Sequence, residues 1–284
     1  MVLFATFLIA LSFIISGKLS GVIDPISLTL YRFVFASLIL APIILLNKKY
    51  RSKIAQSVKK ALIISLFYSS YFIGLFKALE FTSALNTATL FTLTPLITAI
   101  FAIFVFKQHI SKVGLITYLV GIVGTCMVVF KGNMELFLSV SLNYGDIIFL
   151  LAIIFMASYS ISAKFFYKEG DEVLTITFLT LLGGCFWMGL ALEILDIPLE
   201  WYKIQGEMFF HMTYLAIGAT LFTVYLYQKA TVAIGPKNIM AYVYINPAFV
   251  ALILFVFEGV SISFWSLVGI FISAISTAIL LLRE

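Results

Sequence analysis

Arg32 is the residue whose chemistry stands out in this sequence, because it is a permanent cation inside a long apolar segment. It lies about six residues from one end of that segment, roughly 9 Å along a helix axis. Charged side chains inside hydrocarbon are costly, and they usually face a bundle interior or a watery cavity. We expect Arg32 to receive a carboxylate or phosphate group of a bound solute. The alternative is that it snorkels to the headgroups or ties helices together.

Other polar and aromatic side chains interrupt the apolar segments where they could line the same cavity. Asn238, Tyr242 and Asn246 recur at intervals of four and so share one face of a helix. Asn246 lies deep in its segment, where an amide is not expected to face lipid. Aromatic faces suit a cationic or ring-bearing solute, although tyrosine and tryptophan also gather at membrane interfaces. The remaining candidate substrate-binding residues are Tyr68, Tyr71, Asn86, Tyr159, Ser162, Trp187, Tyr225 and Gln228.

Pro95 and Pro247 each fall near the middle of an apolar segment. A proline inside a helix removes a backbone hydrogen bond and can kink the helix. A carbonyl freed in this way could bind a solute, and the kink could serve as the hinge of a gate. The alternative is that both prolines only shape helix packing.

Residues that could build a catalytic or metal centre are few and scattered. His109 and His211 are predicted at helix boundaries and far apart, so we expect no metal site. Cys126 and Cys185 lie inside apolar segments and form no redox or metal pattern. Glu258 could be a proton-coupling carboxylate or simply an interfacial cap. The sequence has no phosphate-cradling glycine loop and no catalytic constellation, so we expect neither an enzyme, a primary pump nor a cofactor.

The composition requires most of the chain to lie in hydrocarbon. Apolar residues make up 63% of the sequence, charged residues make up 11%, and the mean hydropathy is +1.14. A soluble domain carries about 25% charged residues, so this chain could not cover a water-facing surface. The net charge of +5 comes from basic residues in short clusters between apolar segments. That distribution argues against nucleic-acid binding and indicates topological signals.

Ten apolar segments are long enough to cross the hydrocarbon as helices. Asp24 followed by Pro25 marks the start of the second, since aspartate caps helices and proline suits the first helical position. The first begins at Met1 without the basic region of a cleavable signal. We therefore expect a retained helix, with loss of a short cytoplasmic leader as the alternative. The predicted spans are 2–21, 26–46, 61–79, 84–106, 113–130, 145–166, 173–195, 208–228, 239–257 and 264–282.

The basic residues predict the orientation in the membrane. The segment from Asn47 to Lys60 holds six basic residues and no acid, which marks it as cytoplasmic. Alternating from there, the same side receives 13 basic residues and the opposite side four. We therefore predict a multi-pass protein of the cytoplasmic (inner) membrane with both termini in the cytoplasm.

The two halves of the sequence resemble each other. Residues 12–18 match residues 158–164, displaced by 146 positions, and Thr94-Pro95 matches Asn246-Pro247, displaced by 152. Each half holds five predicted spans, and two copies of an odd-numbered unit must cross the membrane in opposite senses. Inverted repeats with a site at their interface are typical of secondary transporters. The predicted halves are residues 1–131 and 132–284.

Several segments carry a resemblance to a known family. They are residues 12–18, 24–25, 31–33, 77–84, 93–96, 119–124, 244–248 and 257–259. On these segments the chain resembles the EamA family of the drug/metabolite transporter (DMT) superfamily along nearly its whole length. The family often has Trp-Gly where this chain has Leu11-Ser12, and Gly-Glu where it has Lys107-Gln108. The resemblance implies an all-α integral membrane protein of ten helices in two inverted five-helix repeats, matching the spans counted above.

The resemblance also implies a metabolite carrier, often an exporter of amino acids or related small solutes. Together with the repeat, it predicts a secondary active transporter that moves a small polar organic solute by alternating access. Transport could be coupled either to protons or to a counter-solute. The alternative is an importer or exchanger of a cationic or nucleoside-type metabolite, such as choline or S-adenosylmethionine. A channel or a membrane-embedded enzyme fits less well.

Overall fold

The computed structural model describes residues 1–19, 22–82, 84–139 and 142–283, and most of these are helical. Within them, nine helical segments are long and apolar enough to cross a membrane when helices separated by a short break are counted as one, and the first helix is apolar but shorter. Helices suit hydrocarbon because they bond their backbone groups internally. The helices are α1 Val2–Lys18, α2 Pro25–Leu46, α3 Lys48–Arg51, α4 Ile54–Leu79, α5 Ala84–Phe91, α6 Thr94–Phe106, α7 Lys112–Val129, α8 Met134–Leu138, α9 Tyr144–Phe165, α10 Val173–Leu195, α11 Glu207–Ala216, α12 Thr223–Ile234, α13 Pro236–Ala241, α14 Asn246–Glu258 and α15 Phe264–Arg283.

Three spans are interrupted in the part of the chain that the structure describes. The fourth consists of α5 and α6, and the eighth joins α11 to α12 through a π-helical turn at Ile217–Phe222. The ninth joins α13 to α14 through a 3-10 turn at Tyr242–Ile245. The third span begins at Ile54 rather than at the predicted residue 61, because a helix can continue past the hydrocarbon into water. The predicted end of the first span, residue 21, lies outside the described residues.

Side-chain caps fix where the second and sixth spans begin. Asp24 accepts hydrogen bonds from the backbone N–H groups of Ile26 at 2.7 Å and Ser27 at 3.4 Å. This confirms the predicted start of α2. Asn143 and Asp146 cap α9 reciprocally, each side chain accepting from the other's backbone N–H. Such a capping box satisfies two N–H groups that the helix itself leaves free.

Both mid-span prolines lie just after a helix break. α6 begins at Thr94, so Pro95 occupies the first turn of a new helix, where its missing N–H is not needed. Pro247 has the same position in α14. The expected kinks are therefore full interruptions, built alike in both halves. Their role as hinges stays a prediction.

α6 and α14 also match in length and in how they end. Each has 13 residues, and they begin 152 residues apart. The residues that end them, Lys107 and Gly259, both adopt left-handed backbone, with φ of 53° and 66°. The backbone N–H of Lys107 donates to the Ala102 carbonyl, and that of Gly259 donates to the Leu254 carbonyl. The match extends the sequence repeat to the backbone.

The most extensive helix pairs join the two halves of the chain. α7 packs along α15, α4 packs along both α9 and α10, and α2 packs along α10. α6 packs on α9 and α14 packs on α1 in the same way. Each pair combines a helix that precedes residue 131 with one that follows it. The core is therefore an interface between the halves rather than two separate cores.

Glycines allow two of these pairs to approach closely. A Cβ atom on Gly269 of α15 would lie 2.5 Å from the carbonyl oxygen of Gly124 in α7. A Cβ atom on Gly183 of α10 would collide with the hydroxyl of Ser65 in α4. Because lipid tails are as apolar as the side chains, membrane helices associate through such close van der Waals packing.

A hydroxyl in the first turn of α2 and another in the first turn of α10 each form hydrogen bonds with a loop from the other half. Ser27 Oγ donates to the Leu199 carbonyl at 2.6 Å and accepts from the Trp201 indole N–H at 3.0 Å. Thr175 Oγ1 donates to the Tyr50 carbonyl at 3.3 Å. Ser27 and Thr175 lie 148 residues apart, which is close to the repeat spacing. The repeat therefore relates the two loop contacts.

Candidate functional site

Arg32 lies inside the bundle with a single hydrogen-bond partner. Its Nε donates to Thr220 Oγ1 at 2.9 Å. Within the described residues, the two terminal nitrogens of the guanidinium make no hydrogen bond, and the side chain is partly buried. The phenols of Tyr68 and Tyr214 lie within electrostatic range of the guanidinium. Arg32 thus keeps N–H donors that can bind an incoming group.

Thr220 lies in the π-helical turn of the eighth span, Ile217–Phe222. π turns are rare, and they occur frequently at functional sites. Just before this turn, the Tyr214 phenol donates to the Leu8 carbonyl at 3.0 Å. The Tyr214 ring covers Gly218 so closely that a Cβ atom there would lie 2.9 Å from it. Because α1 and α2 both pack against the turn, Thr220 is held beside Arg32.

Tyr68 in α4 connects Arg32 to the second half of the chain. Its ring centroid lies 4.5 Å from that of Tyr159 in α9 and 5.7 Å from that of Phe33 in α2. Tyr159 is buried, and its phenol lies near the side chain of Gln228 in α12. These contacts form a continuous path of polar and aromatic groups across the interface between the halves.

Gln228 is buried and fully engaged by the seventh span. Thr177 donates to Gln228 Oε1 at 2.7 Å, and Gln228 Nε2 donates to Thr180 Oγ1 at 3.1 Å. A buried amide without such partners would be costly, so these bonds fix its orientation. We name the connected group the Arg32 cluster. It consists of Arg32, Tyr68, Tyr159, Tyr214, Thr220 and Gln228.

The Arg32 cluster contains some of the predicted site residues and two that the sequence does not indicate. Arg32, Tyr68, Tyr159 and Gln228 are all candidates on sequence grounds. Tyr214 and Thr220 are not, because hydroxyl residues in apolar helices are common and serve many purposes. Only knowledge of which helices touch Arg32 would single them out.

Tyr71 and Ser162 lie on the same helices as cluster members but make other contacts. The Tyr71 ring centroid lies 6.0 Å from that of Phe91, at the end of α5. Ser162 Oγ donates to the carbonyl of Tyr159 within its own helix at 2.9 Å. Neither contact joins these residues to Arg32, and their predicted role in binding stays a prediction.

Trp187 and Tyr225 contact residues outside the Arg32 cluster. Trp187 Nε1 donates to the Leu62 carbonyl at 3.2 Å, which links α10 to α4. The Tyr225 ring lies beside Lys229, whose Nζ is 5.6 Å from the ring centroid. The structure does not bring these two aromatic side chains into the Arg32 cluster.

Asn86 belongs to a separate polar group around Asp146. Asn86 Nδ2 donates to the Asp146 carboxylate oxygens at 3.1 and 3.3 Å. Thr82 Oγ1 donates to Asp146 Oδ1 at 2.5 Å, and Asn143 Nδ2 donates to Thr82 Oγ1 at 3.2 Å. Asp146 is completely buried. Asn86 therefore helps to anchor the start of α9 against the fourth span.

The two helix breaks carry buried polar atoms without partners. Thr94 Oγ1 and Asn246 Oδ1 make no hydrogen bond among the residues that the structure describes. Thr94 is 0% exposed and Asn246 is 6% exposed, so both break the rule that buried polar groups are paired. They occupy repeat-related positions directly before Pro95 and Pro247. Tyr242, in the 3-10 turn before Asn246, packs against the buried cluster around α13.

Ion pairs in the described chain lie near helix ends rather than beside Arg32. Lys60 Nζ binds both carboxylate oxygens of Asp171, at 2.5 and 2.7 Å. Lys49 pairs with Glu172 at 3.1 Å, and the hydrogen bond to Glu172 raises the pKa of the Lys49 ammonium above its ordinary value. Across the same ranges, no group of three or more His, Cys, Asp or Glu side chains could hold a metal ion.

The chain is similar to several known proteins along most of its length. Residues 1–130 and 143–282 each match the EamA-like transporter family. An uncharacterized transporter of Archaeoglobus fulgidus is 25% identical over 257 residues, which covers 87% of this chain and 84% of that protein. The uncharacterized transporter YyaM of Bacillus subtilis is 24% identical over 170 residues, 58% of this chain and 54% of YyaM.

A solved crystal structure shares the fold. It superposes with a TM-score of 0.78, covering 98% of this chain and 94% of its own, at 18% sequence identity. Together with the two family matches, it confirms the prediction of an all-helical membrane protein built from a duplicated unit. Because those matches take in nearly the whole sequence, the chain belongs to the EamA-like transporter family of the DMT superfamily and is a multi-pass membrane transporter rather than an enzyme.

Proposed function

We propose that this protein is a secondary active transporter of a small polar organic solute, an amino acid or a related metabolite. The Arg32 cluster carries the proposal, because it gathers a cation with free N–H donors, three phenols and an amide where helices of both halves meet. Lipid offers no partner to such groups, so a watery cavity that admits a polar solute suits them. Tyr242 and Asn246 are proposed as a further part of its wall.

We propose alternating access as the mechanism. The halves, residues 1–131 and 132–284, would lie inverted in the membrane and move relative to each other around the Arg32 cluster. The breaks before Pro95 and Pro247 would serve as hinges, since an interrupted span can bend without losing helical hydrogen bonds. The loop contacts of Ser27 and Thr175 would open in alternation, one at each membrane face.

The basic segment between α2 and α4 supports a cytoplasmic position for that loop and for both termini. We propose the cytoplasmic membrane as the location and export as the direction, the latter from the resemblance to metabolite exporters. Coupling to protons or to a counter-solute would drive transport against a gradient.

A transporter of cationic metabolites is the second candidate. The Tyr68 and Tyr159 rings, 4.5 Å apart, favour it because aromatic faces attract cations. The guanidinium of Arg32 lies within electrostatic range of Tyr68 and would repel a cation there. We therefore place this candidate second.

Solute counterflow in proteoliposomes tests the proposed function. Vesicles preloaded with an unlabelled pool of amino acids should take up the labelled pool transiently and saturably. Arg32→Ala should reduce this uptake at least about tenfold, as expected for losing a charged hydrogen bond. Arg51→Ala is the matched control, because Arg51 is exposed in α3, and it should behave as the unmodified protein. Uptake equal to that of empty vesicles for amino acids, amines and nucleosides alike would overturn the proposal, and non-saturating flux would indicate a channel.

A further inference from the structure

We propose that the solute carries one carboxylate group and that Arg32 binds it through its two terminal nitrogens. This inference rests on the proposed function and deepens it by naming the chemical class of the substrate. It begins from the partners of Arg32. Thr220 occupies Nε at 2.9 Å, and the remaining N–H donors have no acceptor among the described residues.

The shape of the guanidinium favours a carboxylate as the missing partner. Two terminal nitrogens lie in one plane and present parallel N–H groups, which match the two oxygens of a carboxylate. Thr220 holds the guanidinium by Nε and leaves the terminal nitrogens unoccupied. Thr220 is therefore a positioning residue, and the π turn that carries it sets the direction in which Arg32 faces.

The charge balance favours a group with a single negative charge. The described ion pairs join Lys49 to Glu172, Lys60 to Asp171, Lys77 to Glu80 and Lys203 to Glu200, and none includes Arg32. The groups that interact electrostatically with Arg32 are the phenols of Tyr68 and Tyr214, which are neutral at pH 7. One carboxylate neutralises this site, whereas a phosphate dianion leaves an unpaired charge in a setting of low polarity.

The other cluster members suit the remainder of such a solute. The paired Tyr68 and Tyr159 rings offer apolar surface for its body. The Tyr68 and Tyr159 phenols can donate or accept hydrogen bonds to a further polar group, and the Tyr214 phenol, which donates to the Leu8 carbonyl, can accept one. At the spacing of 148 residues that relates Ser27 to Thr175, the position equivalent to Arg32 is Thr180, which carries no charge and accepts a hydrogen bond from Gln228. The cation that would bind the carboxylate therefore belongs to one half of the chain.

Chemical modification of Arg32 tests the inference directly. The sequence has three arginines, Arg32, Arg51 and Arg283, so Arg51→Lys and Arg283→Lys leave Arg32 as the single reactive guanidinium. The full-length protein in lipid nanodiscs is treated with p-hydroxyphenylglyoxal, and modification is followed by mass spectrometry. Three probes are compared: a pool of common L-amino acids without arginine, the pool of their α-amides, and inorganic phosphate.

Supplied at about ten times its dissociation constant, the amino-acid pool should slow modification of Arg32 about tenfold, because protection follows the occupancy of the site. The amide pool and phosphate should slow it less than about twofold, since neither meets both the charge and the shape requirement. Equal protection by amides, stronger protection by phosphate, or no protection by any probe would each overturn the carboxylate assignment.

Two threonine variants separate positioning from folding. Thr220→Val should weaken protection by amino acids about fivefold, as for one hydrogen bond. Thr213→Val is the matched control, because its hydroxyl bonds only the Phe209 carbonyl within α11, and it should keep full protection. Equal protection in both variants would contradict the role of Thr220.

The result also separates this inference from the proposed function. If the protein mediates counterflow of amines and no probe protects Arg32, the carboxylate assignment is rejected and the proposed transport function stands. If amino acids protect Arg32 but no solute shows counterflow, the carboxylate-binding site stands and the proposed transport function is rejected.

Discussion

Removing the hydroxyl of Ser27 should loosen the loop that follows the seventh span. Ser27 Oγ makes two hydrogen bonds to that loop, at 2.6 Å to the Leu199 carbonyl and at 3.0 Å from the Trp201 indole. A neutral hydrogen bond contributes about 0.5–1.5 kcal/mol net. The indole also reaches the Ser27 carbonyl at 3.2 Å, and that contact survives in Ser27→Ala. We therefore expect the free energy that holds the loop closed to fall by about 1–2 kcal/mol.

Hydrogen–deuterium exchange measures this effect. The backbone N–H groups of Lys203 and Ile204 are bonded in a second 3-10 turn, Trp201–Lys203, to the Glu200 and Trp201 carbonyls. A loss of about 1–2 kcal/mol corresponds to roughly 5- to 30-fold faster exchange if these amides exchange through loop opening. Thr175→Val removes one longer bond and should accelerate exchange in the loop around Tyr50 by only about twofold.

Ser139→Ala is the control for Ser27→Ala, because Ser139 is exposed and its hydroxyl bonds only its own helix. Unchanged exchange at residues 199–206 in a folded Ser27→Ala protein would refute the assigned role of Ser27. If Thr175→Val accelerates exchange around Tyr50 more than Ser27→Ala accelerates it at residues 199–206, the relative strength assigned to the two contacts is wrong.

Three other changes test packing, anchoring and orientation. Gly269→Ala should destabilise the protein by about 1–3 kcal/mol in detergent unfolding, because the new methyl group would meet a carbonyl of α7 at 2.5 Å. Asp146→Asn should destabilise it by about 1–3 kcal/mol in the same measurement, since a buried carboxylate loses charged hydrogen bonds. Cysteines replacing Lys49 and Lys203, in a background without Cys126 and Cys185, should be labelled by an impermeant maleimide from opposite sides of the membrane.

The packing and anchoring predictions each have a matched control, and all three have a result that would contradict them. A Cβ atom on Gly189 meets no atom within 4 Å, so Gly189→Ala should be harmless, and equal effects of both alanines would contradict the packing argument. Asp196 is exposed, and Asp196→Asn should leave stability unchanged. Asp146→Asn as stable as the original would remove its anchoring role. Labelling of both cysteines from one side would reject the proposed topology.

Most of the fold could be predicted because its determinants are local. The length of an apolar run decides whether a helix can span the membrane, and Asp24 before Pro25 is a cap that needs no tertiary partner. The breaks at Thr94 and Asn246 follow from the chemistry of the prolines behind them. By contrast, Asp146 gives no local sign that Asn86 and Thr82 will meet it, because they lie 60 and 64 residues earlier.

The eighth span shows why the candidate site was harder to predict. Tyr214 and Tyr225 are 11 residues apart, about three turns of an ideal helix, so an uninterrupted helix would direct both to the same face. The π turn between them adds one residue, which rotates everything beyond it by roughly 100°. Tyr214 consequently lies near Arg32 while Tyr225 lies beside Lys229. No sequence pattern predicts that rotation, because the π turn depends on packing against α1 and α2.

The matched ends of α6 and α14 indicate how the two halves of the chain arose. Glycine adopts left-handed backbone without cost, whereas lysine does so at about 1–2 kcal/mol. Gly259 still occupies that position in the second half, and Lys107 occupies it in the first. The simplest history is an ancestral five-helix unit with glycine there, duplicated before the side chains diverged. On that history the left-handed backbone at this position is older than Lys107, and the first half kept the backbone path after losing the residue that favours it.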